Sequence, residues 1–165
     1  MKNINILKIS LSVMLLISIS SCSSLNGWVG EKLGFDTDLT LRLKVDADIN
    51  PDDKKQPSPL FVRLYELKEV KMFKRADFIG LYERDKEVLG SDFIAKQELK
   101  RIIPGESREQ KFVLSKDTRY VAIYAEFLDY TAAKYKIIMP VVASNVVATS
   151  KTIQISGNVL KLIDD

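Results

Sequence analysis

The chain offers little that could carry bond-making chemistry. Its 165 residues include one cysteine, Cys22, and no histidine. Without histidine there is no commonest general base, no commonest zinc ligand and no Ser-His or Cys-His pair. Carboxylates, lysines and tyrosines remain, but no tight constellation of them stands out along the chain. Asp46 and Asp48 share one face of an alternating stretch, a spacing that could hold calcium. It fits a solvated strand face better. The chemistry to explain is therefore that of one thiol, at the end of the run LLISISSC (15–22).

What precedes Cys22 sets its fate. Lys2 and Lys8 lead into Ile9 to Ile19, whose only polar members are Ser10, Ser12 and Ser18. A basic start and a short apolar run make a secretory signal. The run is too short to span a bilayer, which takes ~20 apolar residues. Its end, Ile19-Ser20-Ser21-Cys22, resembles a bacterial lipobox. In that motif diacylglycerol alkylates the thiol, the signal (1–21) is cut off, and the new N-terminal cysteine receives an N-acyl chain. A single acyl chain binds a membrane only marginally at ~0.8 kcal/mol per buried methylene, whereas several hold almost permanently. Ser23 stands where aspartate commonly retains lipoproteins in the inner membrane, so the outer membrane is expected, with the domain on its periplasmic face. No cofactor is expected beyond this covalent lipid.

Composition narrows the rest. The sequence carries 25 basic and 22 acidic residues, and loss of the two signal lysines leaves a net charge near +1. So even a balance gives no case for nucleic acid or for steering a strongly charged small-molecule substrate. The remaining length suits one domain that buries roughly 68–70% of its unfolded surface.

Residues 22–37 read as a lipidated tether, with glycines and polar residues breaking any regular element. Trp28 within it suits either a headgroup interface or packing on the domain. From residue 38 the pattern is β. Leu39, Leu41, Leu43, Val45, Ala47 and Ile49 alternate with polar residues, one face buried and the other wet. The stretch NPDDKKQPSP (50–59) then holds three prolines and four charges, and is longer than the ~2–5 residues a hairpin needs. Prolines lower the entropy lost when such a loop orders on a partner. Residues 60–67, LFVRLYEL, are apolar on both faces, as in a central strand covered on both sides.

Phe78, Leu81, Tyr82, Asp85 and Leu89 form a helical stripe, with Asp77 as N-cap and Gly90 as the stop. Val70 to Arg75 add a turn of helix. Phe93, Ala95, Gln97 and Leu99 share a strand face, Pro104-Gly105 marks a type II turn, and Phe112 and Leu114 lie on the return strand. Lys116-Asp117-Thr118 make the next turn, before the apolar strand 120–128. Residues 135–142 and 152–162 complete the set, with Gly157 as a bulge in the last strand. Six or seven short strands with hairpin-like spacing and one helical insertion indicate an all-β sandwich over residues 38–165.

Several of these segments together resemble the outer-membrane lipoprotein of the bacterial type VI secretion system, the TssJ family. They are FVRLYELK (61–68), Phe73, ADFIGLYERDKEVLG (76–90), the Pro104-Gly105 turn and YVAIYAEF (120–127), in the family's order and spacing. The likeness spans about Leu39 to Leu162, plus the lipobox. Two positions depart from the pattern. Glu66 replaces a glutamine, and Lys134-Tyr135-Lys136 stands where a tryptophan-arginine pair is common. The resemblance implies a transthyretin-like β-sandwich without catalysis. It implies a partner, the periplasmic C-terminal domain of the inner-membrane protein TssM, gripped by the loop between the first two strands.

Here that loop comprises Asn50, Pro51, Asp52, Asp53, Lys54, Lys55, Gln56 and Pro57, running on to Pro59. Its mixed charges would fix register more than affinity. An alternative is a periplasmic carrier that holds a small apolar ligand in a pocket lined by residues such as Phe112, Tyr124 and Phe127. An enzyme is the weakest alternative, given the missing histidine.

Overall fold

A computed structural model describes residues 37–142 and 149–163. Its elements are β1 (Thr37–Val45), β2 (Val62–Leu67), α1 (Lys71–Arg75), α2 (Phe78–Leu89), a 3-10 turn (Gly90–Asp92), β3 (Phe93–Glu98), β4 (Ser107–Leu114), β5 (Tyr120–Ala125), β6 (Lys136–Pro140), β7 (Thr149–Ser156) and β8 (Val159–Ile163). One sheet has the order β4-β1-β7-β8 and the other β3-β2-β5-β6. Pairings between the described strands are antiparallel except β1 with β7. The result is an all-β sandwich with a helical insertion.

The alternation in β1 puts Leu39, Leu41, Leu43 and Val45 between the sheets, against Leu64, Ile123, Phe127, Ile153 and Ile155. It stops at Val45, four residues short of the expected end. Beyond it the Asp46 amide donates to the Ile155 carbonyl, and Asp48 accepts from the Gly157 amide. The chain bends, Ala47 is exposed, and Ile49 returns to the core. At the other end Thr37 pairs with Leu114 and is buried, so the strand starts one residue earlier than expected.

β2 is central, paired with β3 on one side and β5 on the other. Its second face packs Tyr65 and Leu67 with Ala122 and Tyr124 of β5 against Phe73, Leu81 and Leu89 of the helices, forming a second core. The α2 stripe is realised with one change. Asp77 Oδ1 accepts from the Gly80 amide at 2.7 Å, and Gly90 ends the helix at φ 51°. Arg84, however, leaves helical geometry at φ −138°, ψ 37°. Arg63 Nη1 donates to the Leu81 and Tyr82 carbonyls at 2.9 and 3.2 Å, two acceptors a regular helix would use four residues on. The kink leaves Tyr82 half exposed, although the stripe placed it inside.

Two further expectations are corrected. The strands before and after the Pro104-Gly105 turn do not pair. The turn itself forms, with Gly105 at φ 79° and the Glu106 amide on the Ile103 carbonyl. It hands the chain from one sheet to the other, where β4 pairs with β1. Gly157 is no bulge. It takes φ 51° at the first position of a two-residue turn between β7 and β8, where Gly-X suits a type II′ hairpin. The strand count is therefore eight among the described residues.

Candidate partner interface

The loop between β1 and β2 is ordered by its own polar groups. Asn50 sits at its root, 2% exposed and at φ 49°, a left-handed conformation that asparagine tolerates. Its amide N–H donates to the Gly157 carbonyl, its Nδ2 to the Pro59 carbonyl at 2.9 Å, and its Oδ1 accepts from the Leu128 amide at 2.8 Å. One side chain thus closes the loop on itself and ties it to the β5–β6 connection. Asn50 is used for shape and presents no surface.

Asp52 organises the tip. Its Oδ1 accepts from the Lys54 and Gln56 amides, both at 2.8 Å. The Asp52 amide donates to the Gln56 carbonyl and the Lys55 amide to the Asp52 carbonyl. Lys55 is held at φ 62°, a conformation that costs a non-glycine residue ~1–2 kcal/mol and persists where such bonds over-determine it. Asp53, Lys54, Lys55, Gln56 and Pro57 are exposed, while Pro51 and Asp52 are half-buried. The charges expected to pair with a partner therefore split: Asp52 shapes the loop, and Asp53, Lys54 and Lys55 face solvent.

Beside the loop lies a cleft of 220 Å³ lined by Pro51, Asp52, Asp53, Lys55, Leu128, Asp129 and Asn158. Leu128 is 60% exposed on its rim. Leu128 and Asp129 belong to the β5–β6 connection, which no sequence pattern joins to the loop. The fold brings them together through the Asn50 amide.

A second polar cluster also escaped the sequence, because its members lie far apart along the chain. Arg63 pairs with Glu126 at 2.6 Å and with Asp85 at 3.5 Å, and Lys96 with Asp85 at 2.8 Å. The Tyr65 hydroxyl donates to Asp85 at 2.9 Å. Burial alone would raise the Asp85 carboxyl, but hydrogen bonds from Lys96, Tyr65 and the Lys86 amide outweigh it and hold the group below the usual carboxylate range. Burial pushes the Tyr65 hydroxyl well above its ordinary value. These charges are mutually satisfied beneath α2, and they pin the helical layer to the sheet.

The two departures from the family pattern are used in packing. Glu66, 3% exposed, accepts from the Thr118 hydroxyl at 2.7 Å and the Ser115 amide at 2.8 Å, fixing the β4–β5 turn. Lys136 Nζ donates to the Phe73, Lys74 and Ala76 carbonyls and caps α1. Burial lowers its pKa, with Asp77 acting against the shift.

The residues named for a ligand pocket do not share a space. Phe112 and Phe127 lie in the inter-sheet core, whereas Tyr124 lies on the opposite face of its sheet, its hydroxyl on the Phe78 carbonyl. Asp46 is near Gln154 Nε2 at 3.3 Å, and Asp48 holds the Gly157 amide. Among the described residues no group of three or more acidic, histidine or cysteine side chains could hold a metal. Among them no helix is long and apolar enough to cross a membrane. Cys22, the signal and Trp28 lie outside the described residues.

Solved structures share this fold. The type VI secretion lipoprotein TssJ1 from Pseudomonas aeruginosa matches with a TM-score of 0.71 at 26% identity, over 78% of this chain and 95% of that one. Serratia marcescens Lip, described as a membrane bound component of the type VI secretion system, matches at 0.69 and 20% identity, over 79% and 98%. A chain of a structure described as a type VI membrane complex matches at 0.68 and 27%, over 78% and 99%. A chain from a structure described as the TssM C-terminal domain from EAEC matches at 0.64 and 27%, over 76% and 99%. Comparison with curated proteins gives no match. Residues 37–158 match the family described as type VI secretion lipoprotein, VasD, EvfM, TssJ, and the chain belongs to that family.

Proposed function

We propose that this chain is the lipid-anchored subunit of a type VI secretion membrane complex. Diacylglycerol and an N-acyl chain on Cys22 hold it to the inner leaflet of the outer membrane, after loss of residues 1–21. Residues 22–36 tether the sandwich in the periplasm. The loop Pro51 to Pro57 grips the periplasmic C-terminal domain of TssM. The observation that carries this reading is the loop itself: an exposed, charged tip on a root fixed by Asn50 and Asp52. A rigid element loses little freedom when it docks, so more of its contact energy appears as affinity. Two of the solved structures with this fold carry the words membrane complex and TssM in their descriptions, which supports the choice of partner.

The test is a binding titration of the mature domain against the TssM periplasmic domain. Replacing Asp52 to Gln56 by a Gly-Ser stretch is expected to weaken binding at least tenfold, ~1.4 kcal/mol, with the melting temperature little changed. Unchanged affinity would sink the loop assignment. For the anchor, Cys22→Ser should move the protein from the outer-membrane fraction to the soluble periplasm and abolish palmitate incorporation.

A further inference from the structure

We infer that the end of the sandwich opposite the loop docks on anionic phospholipid headgroups of the leaflet that holds the Cys22 anchor. Docked in this way, the domain points its β1–β2 loop away from that membrane. The choice of leaflet rests on the anchor reading given above.

β1 separates two poles. Thr37 opens the strand, and the loop follows its far end, about 30 Å away at ~3.3 Å per strand residue. Thr37 pairs with Leu114, so the β4–β5 turn lies at the Thr37 pole. The Arg119 amide donates to the Leu67 carbonyl and the Lys68 amide to the Asp92 carbonyl. These bonds bring the start of the helical insertion to the same pole. The Met72 amide donates to Asp92 Oδ2 and fixes the start of α1 there.

This pole is basic although the chain as a whole is nearly neutral. Lys68, Lys71, Lys116 and Arg119 are exposed on it, and Lys74 and Arg75 follow one turn along α1. The exposed carboxylates nearby are Glu69, Asp117 and, at the edge, Asp38. Among the described residues none of these six cations forms an ion pair or a side-chain hydrogen bond. Arg42, Arg63, Lys96, Arg108 and Lys136 all do. Met72, 37% exposed, adds an apolar contact among the charges.

The chain outside the described residues selects a lipid surface as the occupant. Residues 23–36 join Cys22 to Thr37 and span at most ~50 Å when extended. The pole is thus the part of the sandwich nearest along the chain to the anchor. Acyl chains hold a protein to a membrane but leave its orientation open. A basic residue close to an anionic surface gains about fivefold in partitioning. The gain fades beyond a Debye length of ~8 Å at physiological salt. The loop lies outside that range and stays free for its partner.

The test uses the whole mature chain, 22–165, carrying Cys22→Ser, so that no acyl chain contributes. Co-sedimentation is measured with vesicles of phosphatidylcholine alone, and of phosphatidylcholine and phosphatidylglycerol in equal parts, at low and high salt. Binding is expected on the anionic vesicles only, and only at low salt. Lys68→Glu/Lys116→Glu/Arg119→Glu should lower it at least tenfold. Lys44→Glu/Lys111→Glu/Lys161→Glu makes an equal charge change at exposed positions of the first sheet and should lower it far less. Lys116→Gln alone should cost about fivefold. Thermal melts report whether each variant folds.

Equal binding to neutral vesicles, equal loss in the two triple variants, or no binding to anionic vesicles overturns the inference. Capture of polyglutamate without capture of anionic vesicles also overturns it, because the pole would then face an acidic protein. Palmitate labelling of the wild-type chain separates the two readings. Labelling without docking strikes the inference alone, and docking without labelling strikes the anchor and leaves the affinity of the pole standing.

Discussion

The two sheets meet water differently. Among the described residues no helix covers the outer face of β4-β1-β7-β8, where Asp38, Arg42, Lys44, Glu109, Lys111 and Val113 are exposed, although Thr40 and Thr152 on the same face are buried. The outer face of β3-β2-β5-β6 carries α1 and α2, and a second core of Tyr65, Leu67, Phe73, Leu81, Leu89 and Tyr124 lies beneath them. A bare face needs only polar side chains. A covered face needs apolar residues on both sides of the same strand, and every polar group trapped under the cover needs a partner. The Arg63–Asp85–Lys96–Glu126 cluster and the Lys136 cap meet that need. The helical layer should therefore be sensitive to single substitutions where the exposed positions of the other sheet are not.

Phe73→Ala gives the sharpest contrast. Phe73 is fully buried under α1, with its ring 5.8 Å from that of Tyr65. Its truncation should cost ~3–5 kcal/mol, read by denaturant unfolding. A cost near that of a surface change would mean the layer contributes little. Next is Asp85→Asn, which leaves Arg63 and Lys96 short of a counter-charge. Its side chain is 12% exposed, so a loss of about 2–3 kcal/mol is expected, somewhat below that of a fully buried pair.

The Asp85 carboxyl also gives the sign of a pH effect. Its folded pKa is depressed, so its contribution is full above the unfolded value of ~3.9 and is lost as pH falls through the folded value. The stabilities of wild type and Asp85→Asn should therefore begin to converge as pH falls below about 4. A gap that persisted into stronger acid would place the effect in packing.

Asp77→Ala should cost ~1 kcal/mol through loss of the α2 cap. Gly80→Ala should damage the same cap from the other side, since a Cβ there would meet Asp77 Oδ1 at 2.8 Å. Smallest is Arg42→Ala, an exposed position on the other sheet. Its pair with Glu109 is 3.0 Å long, but both side chains are nearly half exposed, and a change of ~0.5 kcal/mol or less is expected. A loss near 2 kcal/mol would break the contrast between the two faces.

The same contrast governs what could be read in advance. β1 alternates because one of its faces is wet. β5 is apolar throughout, and β2 is apolar on both faces apart from Arg63 and Glu66, because both faces of each are covered. Each pattern is local, so both strands and the need for a helical cover were legible. The Asp77 cap and the Pro104-Gly105 turn rest on neighbours a few residues apart and were legible too. Pairing was not. The Pro104-Gly105 turn looks alike whether the chain returns beside the same strand or crosses to the other sheet. In the sequence the Gly157 turn reads as a bulge because the residues on either side continue one apolar pattern.

The loop was visible from its prolines and charges, yet its internal division of labour was not. Asn50 and Asp52 looked like any exposed polar residues, and only the folded chain turns them inward. Asn50 meets Gly157, Pro59 and Leu128, partners up to 107 positions away.

By itself, the sequence determined that the domain is β with one helical insertion and that a stiff charged loop follows the first strand. These follow from local periodicity, backbone preference and short-range spacing. Tertiary structure alone decided which strands are neighbours, how Arg63, Asp85, Lys96 and Glu126 neutralise one another, and that Leu128 and Asp129 stand beside the loop. Such contacts join residues distant along the chain. Their energy exists only once burial has removed the water that would otherwise satisfy each group alone.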